Sequence, residues 1–139
     1  MKKIILTILT FTLVACSSDS SDSNNAPSNS SISPPTWIQG IWLQDNGNGG
    51  VGNFGFQFTS DDFITKNLVD YSFKNQINTN LSAGVNSTVL ETETDSNYNL
   101  SITASSTTIN YNFVKISSTK IEWINDPLGD LVETYYIKQ

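Results

Sequence analysis

The chain has no histidine, all seven of its basic residues are lysines, and it holds one cysteine and one methionine among 139 residues. Each absence removes some chemistry. Without histidine there is no imidazole base to activate a serine or cysteine nucleophile. Zinc sites built from cysteine and histidine are excluded with it. Haem and iron–sulfur ligation have almost nothing to use, because the methionine is Met1. A lone cysteine cannot form a disulfide within the chain, so the fold must rest on its apolar core. A sustained helical stripe is also missing, and the best candidate, Asp61 to Val69, is short. Together these gaps point away from an enzyme, a cofactor or a metal, and toward a binding role.

The cysteine that is present has an informative setting. Lys2 and Lys3 precede a mostly apolar stretch from Ile4 to Val14, and the run Leu13-Val14-Ala15-Cys16 follows. This is the layout of an export signal, with a small residue before the cut. The stretch is interrupted by Thr7, Thr10 and Thr12 and falls short of the roughly 20 apolar residues a membrane-spanning helix needs. Leu13 to Cys16 resembles the lipobox of bacterial lipoproteins. The resemblance implies removal of residues 1–15, diacylation of Cys16 with fatty chains such as palmitate, and attachment to a membrane of the cell envelope. Residues 16–36 are rich in Ser, Asp, Asn and Pro, a composition that cannot bury enough surface to offset ordering entropy. They read as a disordered tether. Its start, Ser17-Ser18-Asp19-Ser20-Ser21-Asp22, resembles the acidic export signals of Bacteroidetes surface lipoproteins, which implies the outer membrane and the cell surface.

Cutting after Ala15 leaves five lysines against 13 acidic residues, a formal charge of −8. Phosphate backbones are bound by lysine and arginine, so nucleic acid is excluded as a partner. The one domain that remains, residues 37–139, reads as strands. Phe54, Phe56 and Phe58 alternate with Gly55, Gln57 and Thr59, which places three phenylalanines on one face. The same period links Tyr71 with Phe73, and Tyr98 with Leu100 and Ile102. It returns in Ile109, Tyr111 and Phe113, in Ile121 and Trp123, and in Leu131, Tyr135 and Ile137. Turn chemistry separates the segments at Asn46–Gly50, Ser60–Asp62, Ser96-Asn97, Ser117-Ser118 and Asp126–Gly129. About eight short strands with one apolar face predict an all-β antiparallel barrel, with a β-sandwich as the alternative.

The domain opens with Trp37-Ile38-Gln39-Gly40-Ile41-Trp42. Gly40-x-Trp42 ahead of some eight strands resembles the lipocalin-like small barrels. That resemblance implies that Trp42 packs across one end of the barrel and that Gly40 lets a neighbouring chain approach. Lipocalins often lay an arginine from the last strand over this tryptophan. Lys138 is the nearest basic residue here, and its ammonium does not reproduce a planar guanidinium. Avidin-type barrels also begin with Gly-x-Trp and an Asn/Gly-rich turn, but no later ligand residues match.

Three constellations bear on function. Asp45 to Gly50 resembles a calcium loop but has glycine at its third and fifth positions and Phe56 at its twelfth. A calcium loop needs oxygen ligands there, so the segment reads as a hairpin turn. Glu91, Glu93 and Asp95 alternate on one strand and read as a solvated face. The aromatics carry the remaining signal. A lipocalin-like cavity would be lined by Trp42, Phe54, Phe56, Phe58, Tyr71, Phe73, Tyr111, Phe113 and Trp123, an apolar pocket for a small apolar or glycan ligand. Alternatively these rings fill the core, and the domain meets a protein partner as an accessory subunit or inhibitor.

Overall fold

The computed structural model describes residues 31–129, 131 and 134–139. Cys16, the signal segment and most of the tether lie outside the described residues. Nine strands form one antiparallel sheet: β1 (Gly40–Asp45), β2 (Val51–Phe58), β3 (Phe63–Lys66), β4 (Tyr71–Ser72), β5 (Ser87–Glu93), β6 (Asn97–Ala104), β7 (Thr107–Lys115), β8 (Lys120–Trp123) and β9 (Tyr135–Lys138). One helix, α1 (Phe73–Ser82), stands between β4 and β5. The strand order is β4-β3-β2-β1-β9-β8-β7-β6-β5. Every neighbour is consecutive in the chain except β1 and β9, which pair Trp42 with Lys138 and Gln44 with Tyr136.

The sheet curls on itself. Phe56 of β2 meets Phe113 of β7 with ring centroids 5.1 Å apart, and Phe58 meets Tyr98 of β6 at 6.0 Å. These strands lie far apart in the sheet order, so only curling brings them face to face. The all-β antiparallel expectation holds, in a barrel-like form built from a single sheet rather than a sandwich. It differs from a closed eight-stranded barrel in two respects: the sheet has nine strands, and it stays open, with β4 and β5 as its edges and α1 in the gap, packed against β3 and β5.

Hairpin chemistry sets the first turns. Asp45 Oδ1 accepts from the Gly47 amide at 3.0 Å, Asn46 N donates to Gly50 O at 3.2 Å, and Gly47 and Gly49 take φ of 75° and 77°, the left-handed region this turn requires. The Gly47 amide, helped by Lys120, holds the Asp45 carboxyl below its ordinary range. At Gly55 a side chain is excluded outright, because a Cβ would lie 2.0 Å from the carbonyl oxygen of Trp42. The strands cross closely there, beside the β1–β2 register shift between Leu43 and Asp45.

Three expectations are corrected. Tyr71 and Phe73 do not continue one strand: Ser72 caps a helix, its Oγ accepting from the Asn75 amide at 3.1 Å while donating to the buried Asp62 at 2.6 Å. The helix buries Phe73 and Ile77, four residues apart on one face. In β9 the core residue is Tyr136, fully buried, and not Tyr135 or Ile137, while Leu131 lies exposed in the preceding turn. The last part of the tether belongs to the domain. Ile32 joins the core, Pro34 is buried, and the Ser33 amide donates to both carboxylate oxygens of Glu91 at 3.0 Å.

Candidate functional site

Antiparallel alternation gives the half-barrel two ends. Segment 31–39, the β2–β3, β5–β6 and β7–β8 turns and the C-terminus share one end. The β1–β2, β3–β4, β6–β7 and β8–β9 connections share the other. The first end is shut. Trp42, with no exposed surface, donates from Nε1 to Ile38 O at 2.6 Å. Lys138 Nζ lies 5.0 Å from the centre of the Trp42 ring, a cation on an aromatic face. Gly40, at φ 127°, leaves room for it: a Cβ there would sit 2.7 Å from Lys138 Cε. Trp37 extends the seal, donating to Thr94 O at 3.1 Å under Lys115, whose Nζ is 5.6 Å from its ring.

Between the ends the interior is filled. Phe56 is wholly buried and touches Tyr136 at 4.7 Å, Phe113 at 5.1 Å and Trp123 at 5.3 Å, and Phe58 stacks on Phe63 at 5.0 Å. Of the nine residues expected to line a cavity, Trp42, Phe56, Phe58, Phe73, Phe113 and Trp123 belong to the buried core, and Phe54 and Tyr111 are partly buried against it. Neighbouring ring centroids among Phe54, Phe56, Phe58 and Phe113 lie 5.6, 6.4, 5.1 and 5.2 Å apart. The physical reason is ring volume: an eight-stranded barrel is just wide enough for side chains to fill, and this one is both incomplete and crowded with aromatics.

Four of the nine, Tyr71, Phe73, Tyr111 and Trp123, also border recesses toward the other end, which is open. Tyr111 stacks on Trp123 at 5.5 Å and lines a cleft of about 360 Å³ with Ile109, Asn110, Asn125 and Pro127. Tyr71 and Phe73 line a smaller recess of about 160 Å³ with Ile77, Ile102 and Ile109, in the gap between α1 and the β6–β7 hairpin. A third hollow, about 560 Å³, adjoins the cleft at Pro127 and is walled by Glu122, Ile124, Asp126 and Leu128. Sequence reasoning missed Asn110, Asn125 and Pro127. It placed Ile109 on the right strand without seeing that it is half exposed, at 46 %.

Asn125 makes this end stiff. Its Oδ1 accepts from the Asn112 amide at 2.7 Å and its Nδ2 donates to Asn110 O at 2.9 Å. The side chain thus behaves as one more strand residue against β7 and extends the β7–β8 ladder past Trp123. Asp126 Oδ1 then accepts from the Leu128 amide at 2.9 Å to turn the chain. Among the described residues, Trp123 Nε1 and the Tyr136 hydroxyl are buried without a hydrogen-bond partner. Burial raises the Tyr136 hydroxyl well above the ordinary tyrosine pKa, with the nearby Asp126 charge adding to it. Tyr111 is raised as well, mainly by burial.

The carboxylate row does not behave as a plain solvated face. Glu91 Oε1 accepts from the hydroxyl of fully buried Tyr98 at 2.5 Å as well as from Ser33. Burial, then the bond to Glu91, raises Tyr98 far above its ordinary pKa. Glu91 therefore fastens the incoming chain to the sheet. Among the described residues no group of three or more acidic or cysteine side chains is placed to hold a metal ion, and no helix is long and apolar enough to cross a membrane. Compared with known proteins, the chain matches no family model, no curated protein and no solved structure.

Proposed function

We propose that this protein is a lipid-anchored, non-enzymatic binding protein of the cell envelope that engages a protein partner through the open end of its half-barrel. The lipobox-like run ending in Cys16 supports the anchor, and the acidic stretch behind it supports the outer membrane and the cell surface. The observation that carries the binding reading is the contrast between a packed aromatic interior and an apolar open end. Tyr71, Ile109, Ile124 and Leu128 are each about half exposed there. Apolar side chains grouped at one end mark an interaction surface more than scattered ones do.

The direction of the chain supports the same reading. Ser33, Trp37 and Trp42 fix it at the shut end. Fourteen residues lie between Cys16 and Ser31, a reach of at most about 50 Å. An anchor at Cys16 therefore pulls on the shut end and leaves the open end free to turn toward solutes and partners. A second reading is a small apolar or glycan ligand in the Tyr111–Trp123 cleft. Its volume lies within the range of small-molecule sites, and Asn110 and Asn125 border it.

Site-specific photo-crosslinking in intact cells tests the proposal. A crosslinking side chain at Ile109 or Leu128 is expected to trap a discrete protein adduct, and one at Thr119, in the β7–β8 turn of the shut end, is not. Equal adducts from both ends, or none from either, overturn the reading. Release of the protein from membranes by Cys16→Ser checks the anchor separately.

A further inference from the structure

The partner's chemistry follows from how charge is distributed at the open end. One lysine lies there, Lys66, and it is paired with Asp70 at 2.7 Å; Lys120, at the start of β8, is likewise engaged, reaching Asp45 beside the β1–β2 turn at 3.1 Å. Lys115 and Lys138 stand over tryptophans at the shut end, and Lys74 pairs with Asp61 in the β2–β3 turn. The carboxylates of Glu122 and Asp126 are different. They wall the hollow of about 560 Å³ at the open end, and among the described residues no lysine lies within ion-pair distance of either. Ile124, Pro127 and Leu128 wall the same hollow, with Ile124 and Leu128 exposed at 55 % and 54 %. Unpaired negative charge and exposed aliphatic surface thus occupy one concave place.

We propose that this hollow receives a basic, apolar polypeptide segment: a lysine or arginine side chain set against Glu122 and Asp126, with aliphatic or aromatic neighbours packed on Ile124 and Leu128. The proposal rests on the open-end reading above and specifies its partner. Charge complementarity selects this occupant over the others. A second copy would bring the same excess of acidic residues and no spare cation at its own open end. An anionic membrane surface would be repelled in the same way, and a neutral apolar ligand would leave both carboxylates against its surface without a counter-charge. Complementary charge of this kind mainly sets encounter rate and partner choice, and the apolar contacts hold the complex.

Fluorescence anisotropy of the full chain with three labelled twelve-residue peptides tests this. One peptide combines lysine with leucine and phenylalanine, the second replaces lysine with glutamate, and the third keeps lysine but replaces the apolar residues with serine. The first is expected to bind at least about tenfold more tightly than either control, and more weakly as salt is raised. Glu122→Gln with Asp126→Asn, and separately Ile124→Ser with Leu128→Ser, are each expected to weaken it about tenfold or more. Unchanged thermal midpoints show that these variants stay folded. Glu93→Gln with Asp95→Asn, near the shut end, is expected to leave binding unchanged. Equal binding of both lysine peptides, equal loss from charge removal at either end, or no binding of any peptide overturns the proposal. If crosslinks form from Ile109 in cells while the basic peptide fails to bind, the partner's chemistry is wrong and the open-end reading stands. If neither is seen, both fail.

Discussion

The two ends of this half-barrel use the same residue types to opposite effect. At the shut end, Trp42 and Trp37 have their indole hydrogens bonded and a lysine over each ring, and Glu91 holds Ser33 and Tyr98 together. At the open end, among the described residues, Trp123 has an indole nitrogen without a hydrogen-bond partner, Tyr111 is partly uncovered, and no lysine lies within ion-pair distance of Glu122 or Asp126. One end is satisfied within the chain. The other carries exposed apolar surface and carboxylates without a counter-charge, whose exposure costs free energy that a partner of opposite charge would recover. On the proposed reading, binding uses the part of the structure that folding left unpaired.

That contrast can be broken by substitutions chosen along the barrel axis. Phe56→Ala removes the ring both halves share and is expected to cost about 3–5 kcal/mol, read as a loss of urea midpoint with the slope preserved. A loss under about 1 kcal/mol would mean the interior is loose enough to admit a ligand after all. The alkaline limb of stability comes next. Tyr98 and Tyr136 are held above the ordinary tyrosine pKa in the fold, whereas in the unfolded chain tyrosine ionises near about 10. Above that pH the unfolded state gives up protons the folded state keeps. Stability is therefore intact below about pH 10 and falls above it, by up to about 1.4 kcal/mol per pH unit for each tyrosine. Urea midpoints between pH 8 and 11.5 read this out, and Tyr98→Phe is expected to make the decline shallower.

Smaller effects sharpen the comparison. Lys138→Met removes the cation over Trp42 while keeping the aliphatic stem, and is expected to cost about 1 kcal/mol with no change in crosslinking at the open end. Ile109→Ser does the reverse: stability within about 0.5 kcal/mol of the parent, and loss of the adduct trapped from Leu128. Should Ile109→Ser unfold the domain, the open end is structural and the division between the ends fails.

Which parts were legible in the sequence follows from the same physics. Phe54, Phe56 and Phe58, like Tyr98, Leu100 and Ile102, alternate with small or polar residues, so only one register buries them. The Asn46–Gly50 hairpin was legible because its glycines need positive φ. In β9 the run Tyr135-Tyr136-Ile137 is apolar in both phases, and the choice of Tyr136 comes only from its pairing opposite Ile121 and Gln44. Helix α1 is rich in asparagine, a weak helix former. Its signal was the Ser72 cap with Phe73, Ile77 and Leu81 at spacings of four. For the site, the aromatic residues were identified without their division into filler and rim. That division depends on which strands curl across from which, and periodicity along one strand carries no such information. The unpaired Glu122 and Asp126 were equally out of reach, because the lysines that could have neutralised them are spent elsewhere in space.

The pairing of β1 with β9 has a consequence in time. The first strand of the sheet lies against the ninth, and Lys138 of β9 covers Trp42 of β1. A chain emerging from its N-terminus can form the β1–β2–β3 meander early, but one edge of β1 stays bare until β9 arrives. Contacts this distant in sequence are the slow ones to form. The fold is therefore closed by β9, and until that strand docks, β1 keeps an open edge.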